Sequence, residues 1–215
     1  MSQQANSSVQ AKVASEGRQG SEITFAVESR PGLTMQCATA AARNFVDNFY
    51  ETLNRGKSPV QYYVSSSAKL TNVGGLKPDI SINGRVCGSS NPNEAGAAVA
   101  EYEQLLEAQR GGSTAPVHYE IHSFDAQPLN PNYVIGLTPA EQQQPVSSTR
   151  ERDVAERLSF GVQVEGAVRL GRGEDAAERD FNEAFVLVPH WEAHGRNASR
   201  NMRKWLVVSQ NFRSF

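Results

Sequence analysis

Apolar positions along the 215-residue chain change period once, from helical spacing to alternation. From Thr34 onward, Met35, Ala38, Ala42, Phe45, Val46, Phe49 and Leu53 recur at three and four, which lines them along one stripe of a helix. Ser58-Pro59 supplies an N-cap residue followed by proline at the first helical position, so a short second helix is expected through Tyr62 and Tyr63. Asn91-Pro92 repeats that signal. Ala95, Ala98, Val99, Tyr102, Leu105 and Leu106 then form another stripe, ended by Gly111-Gly112. Between these helices, Ala68–Val73 and Ile80–Cys87 read as short strands, with Asn83-Gly84 as a hairpin turn inside the second.

From Val117 the period is two. Val117, Tyr119 and Ile121 alternate with His118, Glu120 and His122, and the segments 158–170, 180–188 and 203–215 alternate in the same way. Helices first and four successive strands afterwards predict an α+β domain: three helices packed on one face of a mainly antiparallel sheet. Residues 1–32 are rich in Ser, Gln and Gly, with only Ile23, Phe25 and Val27 alternating, and read as a mostly disordered leader. One domain is expected over 33–215, with an insertion at about 129–157 that carries Pro131, Pro139, Gln142, Gln143, Gln144 and Pro145. An extended loop is expected at about 190–203.

Both faces of the late strands are apolar. Phe181, Phe185 and Leu187 share one parity of their strand, while Ala184, Val186 and Val188 share the other. In the last strand, Leu206, Val208 and Phe212 stand opposite Trp205 and Val207. Helices cover one face; an apolar second face needs a cover of its own, because an antiparallel sheet otherwise leaves that side polar and wet. A partner's sheet is the expected cover. The alternative is that the leader or the insertion folds over it, although both segments are poor in apolar residues.

Composition narrows the classes. A hydrophobic fraction of 39%, a charged fraction of 20% and a mean hydropathy of -0.49 describe a globule with polar segments attached. A net charge of -2 excludes a uniformly basic nucleic-acid binder and leaves room for a local basic patch. Cys37 and Cys87 are too few for a disulfide framework or a zinc site, and are expected as free buried thiols in a reducing compartment. The opening MSQQANSSVQ has no apolar core of a signal peptide, and no later run is long enough for a membrane span, so a soluble intracellular protein is expected.

Several segments also resemble one family. His122-Ser123-Phe124-Asp125-Ala126-Gln127-Pro128 resembles the strand and Asp-x-Gln-Pro turn of nuclear transport factor 2-like proteins. Val164-Glu165-Gly166-Ala167-Val168, Phe181-Asn182-Glu183-Ala184-Phe185-Val186-Leu187 and Asn211-Phe212-Arg213 resemble that family's last strands in the same order. Phe45-Val46-Asp47-Asn48-Phe49-Tyr50 resembles its opening helix. The resemblance covers about 34–128 and 158–215, and implies a cone-shaped fold. With its insertion and extended loop, the chain is most similar to the small subunits of fungal mRNA export receptors. That resemblance implies a heterodimer with the large export-receptor subunit, passage through nuclear pores on phenylalanine-glycine repeat nucleoporins, and shuttling between nucleus and cytoplasm. It also implies that Arg213, in the terminal Phe-Arg motif, pairs with an acidic residue of the large subunit. The expected partner-binding set is therefore Ala184, Val186, Val188, Trp205, Val207 and Arg213.

Chemical alternatives remain within the same fold. A homodimeric Ran-GDP import carrier would use acidic residues at the cone mouth, of which Asp125 is one, but carriers of that kind lack the insertion and leader. An enzyme or ligand binder would need a carboxylate or histidine with a positioned partner inside an open cavity. Asp47 lies beside the first helical stripe and reads as a surface carboxylate. His118 and His122, four strand steps and about 13 Å apart, are too distant to chelate one metal. No catalytic residue, metal or cofactor is therefore assigned. The loop after His190 combines Trp191 with Arg196, Arg200, Arg203 and Lys204, a composition that suits RNA phosphates and a stacked base and equally suits a solvated connection.

Overall fold

The structure, a computed structural model, describes residues 31–109, 117–143, 155–171, 177–194, 198–199 and 202–215. The leader, most of the second half of the insertion, and Arg196 and Arg200 lie outside the described residues.

Helix α1 spans Pro31–Asn54. It buries Ala38, Ala42, Phe45, Val46, Phe49 and Leu53 as its stripe demands, and adds Cys37, Ala41 and Tyr50; Met35, at the N-terminal end, stays exposed. Its end is closed by a left-handed glycine. Gly56, at φ 66°, lets its own N–H reach the Leu53 carbonyl and the Lys57 N–H reach that of Thr52, which satisfies carbonyls the helix would leave bare. The terminal Asn54 then clamps the backbone of Tyr119, donating to its carbonyl at 3.0 Å and accepting from its N–H at 2.7 Å. That clamp fixes the helix along the edge of the sheet.

The next segments depart from expectation. The residues after Pro59 form two single 3-10 turns, Val60–Tyr62 and Val64–Ser66, in place of one short helix. Ala68–Val73 is no strand but leads a π-helical turn over Lys69–Val73. Local polar side chains explain this. Thr71 Oγ1 donates to the Ser67 carbonyl, and the Glu192 carboxylate accepts from Ser67 Oγ and Lys69 N, offering the backbone partners a ladder would otherwise supply.

Strands β1 (Asp79–Ile82) and β2 (Arg85–Val86) form the expected hairpin, turned by Asn83 and Gly84 at φ 50° and 84°. Helix α2 covers Ala97–Gln109 and buries Ala98, Val99, Tyr102 and Leu106. Strands β3 (Val117–Asn130), β4 (Ser159–Leu170), β5 (Ala177–Pro189) and β6 (Trp205–Ser214) follow, with a one-turn helix α3 (Pro139–Gln142) in the insertion. The six strands run β2-β1-β6-β5-β4-β3, and all neighbours are antiparallel except β1 with β6. That parallel pair brings the hairpin to the far edge of the sheet, beyond the simple meander expected from alternation alone.

One core lies between the helices and the inner sheet face. Phe45, Phe49, Tyr62 and Phe185 interlock with ring centroids 5.0–6.1 Å apart, and Phe181 stacks on Phe212 at 5.4 Å. Gly166 is required here, because a Cβ on it would stand 2.1 Å from the Glu120 carbonyl oxygen and 2.9 Å from the Phe181 ring. Cys37 and Cys87 are both buried.

Candidate functional site

Register decides which residues face outward. In β5, Phe181, Glu183, Phe185 and Leu187 point at the helices, leaving Asn182, Ala184, Val186 and Val188 on the outer face. The β5–β6 ladder pairs Val186 with Ser209 and then Leu187 with Val207, so Val208 is an extra residue in a bulge. A bulge reverses parity on its far side. Arg213, Asn211 and Ser209 therefore lie outward beyond it, whereas Trp205 and Val207 turn inward before it.

Two assigned partner-binding residues are corrected by that bulge. Val207 is fully buried in the helix-side core, and Trp205 packs edge-on to Phe160 at 5.7 Å with its indole N–H donated to the Leu158 carbonyl. Val208, placed inward by unbroken alternation, belongs outside with Leu206. Ala184, Val186, Val188 and Arg213 do share the outer face. Ala184 and Arg213 are exposed and Val186 is half-buried, but Val188 is covered.

The cover comes from the chain itself. Val188 and Leu206 join a second apolar cluster with Val64, Leu70, Tyr133, Leu137 and Trp191, so the first part of the insertion lies across one end of the outer face. Tyr133 stacks on Trp191 at 6.2 Å, and Trp191 Nε1 donates to the Ile135 carbonyl at 2.8 Å. Arg157 ties the insertion down by donating to the Glu141 carbonyl at 2.8 Å and the Gln142 carbonyl at 3.3 Å. Among the described residues, intramolecular cover thus closes one end, and the rest of the face has none. It carries Ala184, Val186, Val208 and Gly161 at its centre, Asp125, Gln163 and Glu165 toward β3, and Arg213 toward β1.

The interior contains a group that alternation had concealed among aromatics. Glu183, only 1% exposed, accepts from Tyr50 Oη at 2.6 Å and from Gln210 Nε2 at 2.5 Å. Gln210 Oε1 accepts in turn from Tyr63 Oη at 2.5 Å. Burial pushes the Glu183 carboxyl up to about 7, against the lowering by its two hydrogen bonds. Burial and the nearby Glu183 charge hold the Tyr50 hydroxyl well above its usual range, so it stays a donor. The signal was present in the sequence, since Glu183 shares the parity of Phe181, Phe185 and Leu187. All four groups are buried, and Glu183 lies on the same strand face as Phe181 and Phe185.

The basic loop is not a stacking platform. Trp191 is buried, and Arg203 lies over the Tyr62 ring at 4.6 Å with Nη1 on Asn48 Oδ1 at 3.3 Å. Both are corrected from RNA contacts to packing elements; Lys204 alone of the described set is exposed. Asp125, His118 and His122 are exposed on β3, and Asp47 is exposed on α1. Among the described residues, no three His, Cys, Asp or Glu side chains gather to hold a metal.

No family model and no curated protein matches this sequence. Solved structures do. A Sac3N peptide bound to Mex67:Mtr2 matches at 28% identity and a TM-score of 0.69, over 83% of this chain and 99% of that one. The Chaetomium thermophilum Mex67 NTF2-like domain complexed with Mtr2 matches at 29% and 0.68, with the same coverage of both chains. A structure of Mtr2 matches at 27% and 0.66, again over 83% and 99%. The chain is an NTF2-like protein, similar to Mtr2. In this NTF2-like fold the helices pack on the inner sheet face, and among the described residues the face left without cover is the outer side of β4, β5 and β6.

Proposed function

We propose that this chain is the small subunit of an mRNA export receptor, docking through the bare outer sheet face on the NTF2-like domain of a large subunit. The observation that carries it is the contrast between faces: the inner side is packed with aromatics, while on the outer side Ala184 and Arg213 are exposed and Val186 and Val208 only half-buried. Similarity to Mtr2 solved with the Mex67 NTF2-like domain supports the kind of partner. The chain acts by assembly, without covalent chemistry, in the nucleus and at nuclear pores, and the pair shuttles to the cytoplasm on phenylalanine-glycine repeats. The nucleoporin contact rests on the family resemblance.

Co-expression with the large-subunit NTF2-like domain from the same genome, followed by native mass measurement, tests the assembly. A one-to-one pair is expected. Val186→Asp places an uncompensated charge in the centre of the interface, and together with Arg213→Glu should weaken the pair by at least about 100-fold, equivalent to about 3 kcal/mol. A chain that remains a monomer or homodimer beside its candidate partner refutes the reading.

RNA contact by the loop after His190 reduces, among described residues, to a phosphate contact from Lys204. Lys204→Ala should lower the salt slope of RNA binding by the assembled pair by about one, uniformly across sequences. Filter binding over a salt series measures this, and an unchanged slope removes Lys204 from the RNA surface.

The buried Glu183 gives the enzyme reading its one observation. Its surroundings argue the other way, because Tyr50 and Gln210 already occupy both carboxylate oxygens.

A further inference from the structure

Seven large apolar side chains are exposed among the described residues, and two of them, Val73 and Ile135, belong to segments that touch beside Gly74. Ile135 Cγ2 lies 3.0 Å from where a Cβ on Gly74 would stand, which places it against the backbone that follows Val73. Neither residue belongs to the sheet. Ile135 comes from the insertion and Val73 from the π-helical turn, so two segments absent from a plain helix-and-sheet cone meet there.

Both are held firmly while their side chains face water. The Ile135 carbonyl accepts the Trp191 indole N–H, Gly136 follows at φ 88°, and the flanking Tyr133 and Leu137 are buried. Lys69 Nζ meets Glu141 Oε1 at 2.7 Å and joins the π turn to the insertion. Ile135 is nevertheless 43% exposed and Val73 60%. A rigid backbone that presents aliphatic side chains to solvent has already lost the conformational freedom that binding would otherwise remove.

The patch is continuous with the docking face. The cluster beneath Ile135 contains Val188 and Leu206 from the outer side of β5 and β6, and Val208, which is half-buried in the centre of that face, packs against it. A sheet laid on Ala184, Val186 and Val208 would meet this raised ridge at its margin, since packed sheets stand about 10 Å apart and the insertion occupies that layer.

We infer that Val73 and Ile135 form a second, apolar contact with the same large-subunit partner, outside the sheet. The insertion and π turn thereby serve as a specificity element, accepting a partner with an apolar margin or loop opposite the ridge and rejecting a flat sheet of the plain cone type. This inference rests on the heterodimer reading.

Calorimetric titration of the full chain with the large-subunit NTF2-like domain separates the two. Val73→Asp with Ile135→Asp should weaken binding by about tenfold or more, and Val73→Ser with Ile135→Ser by a smaller factor. Circular dichroism and unfolding of the free chain should be unaltered, because both side chains already face water. Wild-type affinity in the double Asp variant, with Val186→Asp still disrupting the pair, overturns the ridge and spares the heterodimer. No binding by the wild-type chain overturns both. If the double Asp variant pairs normally but the assembled pair no longer holds a Sac3N-type peptide, the ridge serves a third protein and the inference fails.

Discussion

Phe49→Ala is expected to cost about 3–5 kcal/mol of stability and to lower the melting temperature by about 10 °C or more. Phe49 is fully buried and touches four rings: Phe45 at 5.2 Å, Tyr50 at 5.5 Å, Tyr62 at 5.3 Å and Phe185 at 5.3 Å. The cost depends on whether those neighbours can collapse into the vacated space, and here they are anchored. Tyr62 Oη donates to the Asn48 carbonyl at 2.8 Å, Tyr50 holds Glu183, and Phe185 sits in the middle of β5 between two ladders. The cavity should therefore persist, which points to the upper part of that range. Urea unfolding gives the measurement, with Met35→Ala, on the exposed end of the same helix, as a control expected within about 0.5 kcal/mol of wild type. A loss below about 1 kcal/mol for Phe49→Ala would mean that the cone is loosely filled, and would reopen a small-molecule role for its interior.

Much of this architecture was legible because its elements are long and strictly periodic. The stripe from Ala38 to Leu53, the stripe from Ala98 to Leu106 and the four late strands are all found where period predicts them. In β6 alternation failed at one residue, and that residue mattered. The Val208 bulge turned Trp205 and Val207 inward, and no local signal marks it: Leu206-Val207-Val208-Ser209 reads as an unbroken strand. A bulge is set by its partner strand and by what must be buried on each side, which are tertiary facts. The π turn at Lys69–Val73 was hidden for a related reason, since its anchor, Glu192, is far away in the chain. The insertion was expected to be too polar to cover a sheet, yet Tyr133 and Leu137 suffice to cover one end, because only Val188 and Leu206 need shelter there. Glu183 differs from these cases. Its parity placed it inside, and attention to the aromatics beside it obscured a charge in the core.

That charge should make stability depend on pH in an unusual direction. Most paired carboxylates have a folded pKa below the unfolded one and stabilise a protein as pH rises. Glu183 does the reverse, because burial raises its carboxyl from 4.5 to about 7. Between those values the native state holds a proton that the unfolded chain releases, so this group's contribution is intact below about pH 4.5 and is lost as pH rises through about 7. The full difference is on the order of 3 kcal/mol. Glu183→Gln keeps the side-chain shape and an acceptor for Gln210 Nε2, while the Tyr50 hydroxyl can turn to accept from the new amide. The variant should match wild type near pH 4.5 and exceed it by about 3 kcal/mol at pH 8, and subtracting the two unfolding curves cancels every other titrating group. Parallel curves across pH 4.5–8 would show that Glu183 keeps an ordinary pKa and is solvated. If the gain appears, a carboxylate that costs stability above about pH 7 has a structural explanation in register. Glu183 must meet Gln210 from β6 and Tyr50 from α1 together, and a one-residue slip of β5 would carry it to the outer face with Phe181, Phe185 and Leu187 while turning Ala184 and Val186 inward. The interior acid then fixes which side chains the bare face presents to a partner.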